Sequence, residues 1–270
     1  MTAVTDGFAR FVRTSPTDSA EPLGGTPSAV HHVPVTDPMK LWDFNDPAGS
    51  ERRFREAAAA SVGDDRAAHL TQVARALGLQ EKYDEGHRVL DGLAGSGGDV
   101  PIHIALERGR LLRSGGDPDA ARPLFAEAER LAEKASRDDL RIDAMHMTAL
   151  VADPDDQVAV NLAALEVARG SRDPLARDWD ASLLNNIGMT YADAGDHEAA
   201  LQNFEEALAA RERIGDVEMI RVARWMVAWS LRNLGRHADA LAMQHDLKDE
   251  LDADGETDPY VEEEIALLEG

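Results

Sequence analysis

Apolar residues recur at intervals of three and four along most of the chain after Leu41. Two successive faces show this spacing most clearly: Leu184, Ile187, Gly188 and Tyr191, followed by Ala200, Leu201, Phe204, Ala207 and Leu208. Such spacing puts the apolar side chains on one side of an α-helix. A short turn at Ala194-Gly195-Asp196 separates the two faces, and no run of residues alternates as a strand would. The pattern predicts an all-α fold of paired helices.

Prolines mark the places where several helices begin. Six of the twelve prolines directly follow Asp. An Asp side chain can accept hydrogen bonds from the free N–H groups of a first helical turn, and proline suits the next position because no N–H is needed there. The last four pairs, which begin at Asp117, Asp153, Asp173 and Asp258, are therefore predicted helix starts.

The helix pair over residues 183–210 resembles a tetratricopeptide repeat, a helix–turn–helix unit of about 34 residues. Eight residues at fixed spacing carry the resemblance: Leu184, Ile187, Gly188, Tyr191, Gly195, Ala200, Phe204 and Ala207. One position departs from the pattern, since His197 stands where an aromatic residue is usual. The chain as a whole also resembles uncharacterised bacterial proteins of this repeat type, which brings no known activity with it.

The same template fits other stretches of the chain. Its further copies lie near residues 70–93, 105–128 and 227–247, with a degenerate copy over about 140–168. The resemblance therefore covers about residues 65–250 and implies an α-α superhelix, a tetratricopeptide-repeat solenoid of about five helical hairpins.

The ends of such an array need covering, because one repeat cannot hide its own apolar face. Residues 48–61 are predicted to form a leading helix, and residues 258–269 an amphipathic capping helix. The solenoid is thus expected to occupy residues 41–270. Residues 1–40 hold five of the twelve prolines and lack helical periodicity, so we expect a disordered arm there.

The charge of the chain narrows the classes of partner. It has 28 Lys and Arg against 51 Asp and Glu, a formal net charge of -23. Such a charge disfavours binding to nucleic acid and to anionic membranes. Cysteine is absent, no apolar run approaches the roughly 20 residues of a membrane helix, and the N-terminus carries no readable secretory signal. A cytoplasmic location is expected.

Catalytic constellations are weak in this sequence. Phosphate-binding glycine loops and the HExxH and GxSxG motifs are missing. Asp139 and Asp143 share a helix face and suggest a metal site, but an acidic first helical turn explains them better. We therefore expect no enzymatic activity, no cofactor and no metal.

The resemblance places ligands, usually peptides, against the first helix of each pair, which lines the concave side of the array. The residues carried over to that lining as a candidate site are His103, Arg110, Asn185, Asn186, Met189, Trp225, Trp229 and Arg232. An Asn carboxamide offers both a donor and an acceptor to a peptide bond, as expected of Asn186. Arg232 beside Trp225 and Trp229 suits a partner with an acidic or carboxylate group.

A second interpretation of the last three residues remains open. The indoles of Trp225 and Trp229 fit equally well in the core, with nearby arginines pairing with the acidic C-terminal helix. For the whole chain, the leading hypothesis is a non-catalytic scaffold or adaptor that binds a protein or peptide in the concave groove. The alternatives are a regulatory or sensor domain acting in trans and, less favoured, an all-helical enzyme.

Overall fold

A computed structural model of the chain describes residues 38–270, and every regular element in that range is helical. Residues 1–37, which make up most of the expected arm, lie outside the described part. The described chain divides into an N-terminal unit, residues 38–153, and a C-terminal unit, residues 154–270. None of the described helices is both long and apolar enough to cross a lipid bilayer.

The N-terminal unit opens with a 3-10 helix and continues with six α-helices. In order these are Pro38–Leu41 (3-10), α1 Pro47–Ala60, α2 Gly63–Leu79, α3 Tyr83–Asp91, α4 Val100–Ser114, α5 Pro118–Ala135 and α6 Asp138–Ala149. Helix α2 packs on α1, α3 and α4, while α5 packs on α4 and α6. Short connections between successive helices make α2 and α3, and α4 and α5, antiparallel hairpins.

The C-terminal unit is built in the same way. Its helices are α7 Pro154–Gly170, the short α8 Pro174–Arg177, α9 Trp179–Asp193, α10 His197–Ile214, α11 Val217–Asn233, α12 His237–Asp254 and α13 Pro259–Glu269. Helices α9 and α10 form one hairpin, α11 and α12 form the next, and α13 packs on both α11 and α12. The prediction of an all-α fold of stacked helical hairpins is confirmed.

The four predicted Asp-Pro helix starts are also confirmed, since α5, α7, α8 and α13 each begin at the proline. Three of the Asp side chains cap their helix directly. Asp117 Oδ1 accepts from Ala120 N at 3.0 Å, Asp173 Oδ1 from Leu175 N at 3.0 Å, and Asp258 Oδ1 from Tyr260 N at 2.9 Å. Local hydrogen bonding therefore fixes where these helices begin.

The core of each unit lies between the helices of its hairpins. Phe125 of α5 is fully buried against α4 in the N-terminal unit, and Phe204 of α10 is fully buried against α9 in the C-terminal unit. At the end of the chain, Val261 and Ile265 of α13 pack against Leu247 and Leu251 of α12. Outside the core, the first helix of each hairpin also carries polar side chains.

Candidate functional site

The first helices of the N-terminal hairpins, α2 and α4, carry arginines at the same register. Arg75 and Arg110 lie 35 positions apart, one repeat length, on two helices that pack together. Arg113 lies one turn beyond Arg110 on α4. We refer to these three arginines, with Glu107 of α4 and Asp143 of α6, as the arginine cluster.

Arg110 is the paired member of the arginine cluster. Its Nη1 donates to Glu107 Oε1 and its Nη2 donates to Asp143 Oδ1. Both acids are buried, with 1% of Glu107 and 8% of Asp143 exposed. Burial works against the charge of Arg110, but Asp143 and Glu107 outweigh it and raise the pKa above its ordinary value. Burial also opposes the charge of Asp143, yet Arg110 and Arg75 lower the pKa of Asp143, so it stays ionised at neutral pH.

Arg75 and Arg113 have no ion-pair or hydrogen-bond partner anywhere in residues 38–270. The guanidinium of Arg75 lies 5.5 Å from the ring centre of Trp42 and 5.7 Å from that of Phe44. Burial and the charge of Arg110 lower the pKa of Arg75 and likewise that of Arg113. The fold therefore holds two half-buried cations that lack a carboxylate.

Two histidines stand beside the arginine cluster and are neutral at pH 7. Burial lowers the pKa of His146 to about 4, and the charges of Arg110, Arg113 and Arg75 act in the same direction against the attraction of Asp143. Burial also lowers the pKa of His103. Neither imidazole therefore adds positive charge at neutral pH.

The arginine cluster as a whole carries one net positive charge, since three arginines face two carboxylates. It stands out in a chain whose formal net charge is -23. Glu107 Oε2 is buried with no hydrogen-bond partner among the described residues, so a polar acceptor is also left unused. The arrangement suits an anionic group that carries a hydrogen-bond donor nearby.

On the first helix α9 of the C-terminal unit, the candidate residues Asn185, Asn186 and Met189 are all half-buried. The Asn185 side chain has no hydrogen-bond partner among the described residues. Met189 packs beside the cluster of buried residues that contains Phe204 and Trp229. Asn185 is therefore a half-buried polar group of α9 whose side chain has no hydrogen-bond partner in the described part of the chain.

The two indoles of α11 have different surroundings. Trp229 is 8% exposed and contacts the ring of His197 edge to face at 5.7 Å, so the structure places it in the core. Trp225 is half-buried; its Nε1 donates to the Tyr260 carbonyl oxygen at 3.3 Å, and its ring meets the Tyr260 ring edge to face. Helix α13 thus covers part of the expected binding surface.

Arg232 is engaged with the same helix. Its Nε and Nη2 donate to the two carboxylate oxygens of Glu264 at 2.7 and 2.9 Å, and only 5% of Glu264 is exposed. Arg221 pairs with Asp254 and Glu256, and Arg224 pairs with Glu250. Trp229 therefore lies in the core and Arg232 pairs with the C-terminal helix, as the second interpretation describes. Neither side chain lines a free groove.

The expected site residues therefore separate between the two units. Arg110 and His103 belong to the N-terminal unit, and the other six belong to the C-terminal unit. Sequence reasoning missed Arg75 and its contact with Trp42 and Phe44, and it weighed Asp143 as a metal ligand or as part of an acidic first helical turn, but not as the partner of Arg110. The 35-residue spacing of Arg75 and Arg110 was the available signal for the first omission.

Residues 179–245 match the family model described as "Tetratricopeptide repeat". This segment comprises α9, α10, α11 and the first half of α12. No curated protein matches the chain in sequence.

Solved structures share the fold at low sequence identity. A signal-transduction ATPase of the STAND type with a tetratricopeptide repeat sensor, from Pyrococcus horikoshii, matches with TM-score 0.63 and 12% identity over 78% of this chain and 33% of that chain. The chain thus spans about a third of that protein's length. BtubC (BKLC) from P. vanneervenii matches with TM-score 0.54 and 16% identity over 83% of this chain and 94% of that chain.

NprR, solved in complex with its cognate peptide NprX, matches with TM-score 0.51 and 14% identity, covering 85% of this chain and 66% of that chain. The family match lies on the hairpins that the sequence pattern singled out, and the structural matches cover most of the chain. Residues 179–245 therefore match a tetratricopeptide repeat, and the described chain shares its fold with solved tetratricopeptide-repeat structures.

Proposed function

We propose that this protein is a non-catalytic interaction module that binds a protein or peptide segment on its first-helix surface. Each unit has its own first-helix surface, formed by α2, α4 and α6 in the N-terminal unit and by α9 and α11 in the C-terminal unit. The supporting observation is that Arg75 and Arg113 lie half-buried on the surface of the N-terminal unit with no ion-pair or hydrogen-bond partner among the described residues, in a chain with 51 acidic residues. A buried charge without a partner costs stability, and a bound ligand would offset that cost.

The NprR structure supports a peptide as the ligand class, since NprR was solved in complex with its cognate peptide. The fold similarity carries no ligand identity with it. The proposal for this chain therefore depends on its own unpaired groups, Arg75, Arg113 and Asn185.

A sensor role acting in trans is the second candidate. The structure from Pyrococcus horikoshii is described as a protein with a tetratricopeptide repeat sensor. A sensor of this kind is also a binding module, and it differs only in passing the bound state to another protein. The same ligand surface therefore serves both roles.

A catalytic role is less well supported by the titratable groups in and beside the arginine cluster. A general acid or base works best with a pKa near the working pH. The pKa of His146 is lowered to about 4, and Asp143 is held in its ionised form by Arg110. At pH 7 His146 therefore stays neutral and Asp143 stays ionised, so neither group is suited to proton transfer.

Panning a phage-displayed random peptide library against the full chain tests the proposed function. Selected peptides should lose binding to Arg113→Glu on the surface of the N-terminal unit or to Asn185→Arg on that of the C-terminal unit. They should still bind Arg88→Glu, because Arg88 is an exposed arginine on the second helix α3. Failure to enrich any peptide, or equal binding by all three variants, would count against the proposal.

A further inference from the structure

A short segment that precedes α1 lies against the first helix α2. We call residues 38–46, which include the 3-10 helix, the strap. Trp42 Nε1 of the strap donates to Gln72 Oε1 of α2 at 3.1 Å. The guanidinium carbon of Arg75 lies 5.5 Å from the ring centre of Trp42 and 5.7 Å from that of Phe44. Gln72 and Arg75 are three positions apart on one helix face, so the strap contacts a single side of α2.

The side of α2 that the strap contacts belongs to the first-helix surface of the N-terminal unit. Gln72 lies 35 positions before Glu107 of α4, about one repeat length. Arg75 precedes Arg110 by the same interval, and α2 packs on α4. On α4, Arg110 pairs with Asp143 of α6, whereas on α2 the equivalent arginine faces the two rings of the strap. The strap therefore covers the α2 part of the surface that the proposed function assigns to a ligand.

The backbone of the strap is attached to α1. Arg53 Nε of α1 donates to the Leu41 carbonyl oxygen at 2.8 Å. Ser50 Oγ accepts from Asp43 N at 2.8 Å and donates to the Asp43 carbonyl oxygen at 2.9 Å. The contacts with α2 given above, in contrast, are made by side chains of the strap. These side chains can therefore be exchanged for those of another molecule while the strap stays joined to α1.

The two rings of the strap form a layer on the core of the first hairpin. They are stacked with centres 4.8 Å apart and planes inclined by 1°, and both residues are half-buried. Trp42 meets the ring of Phe54 edge to face at 5.0 Å, and Phe54 is fully buried in a cluster with Val73 and Leu77. In the described part of the chain, Phe44 packs on Trp42 rather than on this cluster. Phe44 can therefore leave α2 without opening the core.

We propose that the strap is a built-in competitor for a peptide ligand of the N-terminal unit. Trp42 and Phe44 occupy a site on α2 for two aromatic side chains, and an incoming peptide with aromatic residues two positions apart displaces them. This inference rests on the proposed function, and it specifies both the ligand and the segment that limits access to the surface.

The groups on α2 suit a ligand of this kind. Arg75 has no carboxylate partner among the described residues, and a guanidinium is attracted to the faces of aromatic rings. Gln72 Oε1 accepts from the indole N–H of the strap and can accept from a ligand in the same way. An aromatic pair thus reproduces both contacts of the strap, whereas a peptide with aliphatic side chains at these positions offers neither a ring face nor an indole N–H.

The test measures competition by the strap through fluorescence anisotropy with the full chain. The probe is a labelled synthetic peptide with the strap sequence PMKLWDFND and blocked ends, and its control has Ala in place of Trp and Phe. Each peptide is titrated with the wild type, Phe44→Ala, Trp42→Ala/Phe44→Ala and Leu93→Ala. Leu93→Ala is the matched control, because Leu93 is buried in a different cluster of the same unit, with Leu90 and Val100.

We expect the strap peptide to bind Phe44→Ala at least about tenfold more tightly than the wild type, because the apparent affinity rises with the fraction of sites that the strap leaves free. Leu93→Ala should bind it as the wild type does, and the alanine-substituted peptide should bind none of the proteins. Adding Gln72→Ala and Arg75→Gln to Phe44→Ala should abolish the gain. Circular dichroism verifies folding, and if Trp42→Ala/Phe44→Ala unfolds, Phe44→Ala alone carries the test.

The inference is overturned if the strap peptide binds the wild type and Phe44→Ala equally, or if Leu93→Ala gains as much affinity as Phe44→Ala. Equal binding of the alanine-substituted peptide, or no binding of the strap peptide to any variant, also overturns it. Peptides selected by phage display separate these failures from failure of the proposed function. If such peptides bind the wild type, the proposed function stands, whereas panning that enriches no peptide refutes the proposed function itself.

Discussion

Gly188 of α9 lies against the ring of Phe204 of α10, so closely that a Cβ on Gly188 would stand 2.7 Å from Phe204 Cε1. The same relationship joins Gly109 of α4 to Phe125 of α5, where the approach is closer still. In both hairpins the aromatic residue follows the glycine by 16 positions. Because glycine has no Cβ, it leaves free the space that the aromatic ring occupies.

Replacing Gly188 by Ala should destabilise the protein. The added methyl overlaps a fully buried ring, and overpacking of this kind costs about 1–3 kcal/mol. Gly170→Ala is the matched control, because a Cβ there meets nothing within 4 Å and should be neutral or stabilise by up to about 1 kcal/mol. Urea unfolding of the two variants measures the difference, and equal stabilities would contradict the packing argument.

The hairpin of α11 and α12 replaces this pair with Ala228 and Gln244, at the same 16-residue spacing. Gln244 is fully buried, and neither its Oε1 nor its Nε2 has a hydrogen-bond partner in the described chain. We expect Gln244→Leu to raise the free energy of unfolding by about 1–3 kcal/mol, because it removes an unsatisfied buried amide.

Gln202→Leu on the exposed face of α10 provides the comparison for Gln244. A surface substitution of this kind should change stability by less than about 0.5 kcal/mol. Thermal unfolding measures the stability of Gln244→Leu and Gln202→Leu relative to the wild type. A lower melting temperature for Gln244→Leu than for the wild type would mean that the carboxamide contributes to stability.

Two arginines of the arginine cluster should respond in opposite ways to neutralisation. Arg110→Gln leaves Glu107 and Asp143 buried without their cation, which should cost about 3–5 kcal/mol. Arg113→Gln removes a partly buried charge whose pKa is lowered by burial and by Arg110, so stability should be unchanged or higher. Chemical unfolding measures both, and a loss above about 1 kcal/mol for Arg113→Gln would indicate a structural role for this residue.

Stability should fall in mild acid because of His146. Its pKa is about 4 in the folded state and 6.5 as the ordinary value, so the unfolded chain binds more protons between these limits. The contribution of His146 to the free energy of unfolding is therefore fully present above pH 6.5 and is lost as the pH falls toward 4. Its size is roughly 3 kcal/mol, at about 1.4 kcal/mol for each pH unit.

The measurement for His146 is the pH dependence of unfolding free energy in the wild type and in His146→Asn. The variant should show a shallower decline between pH 6.5 and 4. The acids facing this histidine do not reproduce that slope, since the pKa of Asp143 is lowered and its own effect falls at more acidic pH. Identical slopes in the two proteins would contradict the assignment.

Much of the fold could be predicted because its determinants are local. Three of the four predicted Asp-Pro helix starts have a carboxylate within three residues of the N–H from which it accepts. The turn glycines Gly116, Gly195 and Gly235 likewise adopt positive φ, as expected at helix ends. Glu81 adopts the same conformation in the first hairpin with φ of 62°, which its residue type did not indicate.

The candidate site was less predictable because it depends on distant pairing. Helical periodicity put Arg110 and Arg232 on first helices, but their partners Asp143 and Glu264 are 33 and 32 positions away. No sequence pattern distinguishes an arginine that finds such a carboxylate from one, such as Arg113, that does not. Tertiary structure decides which charges remain available.

The central claim is that the first-helix surface of the N-terminal unit binds a peptide segment. Its most direct test is a nuclear magnetic resonance titration of the arginine Nε–Hε signals with a peptide selected by phage display. The account predicts that the signals of Arg75 and Arg113 shift together and saturate at one affinity, while that of Arg88 stays in place. Shifts confined to arginines of the C-terminal unit, with Arg75 and Arg113 unmoved, would contradict it.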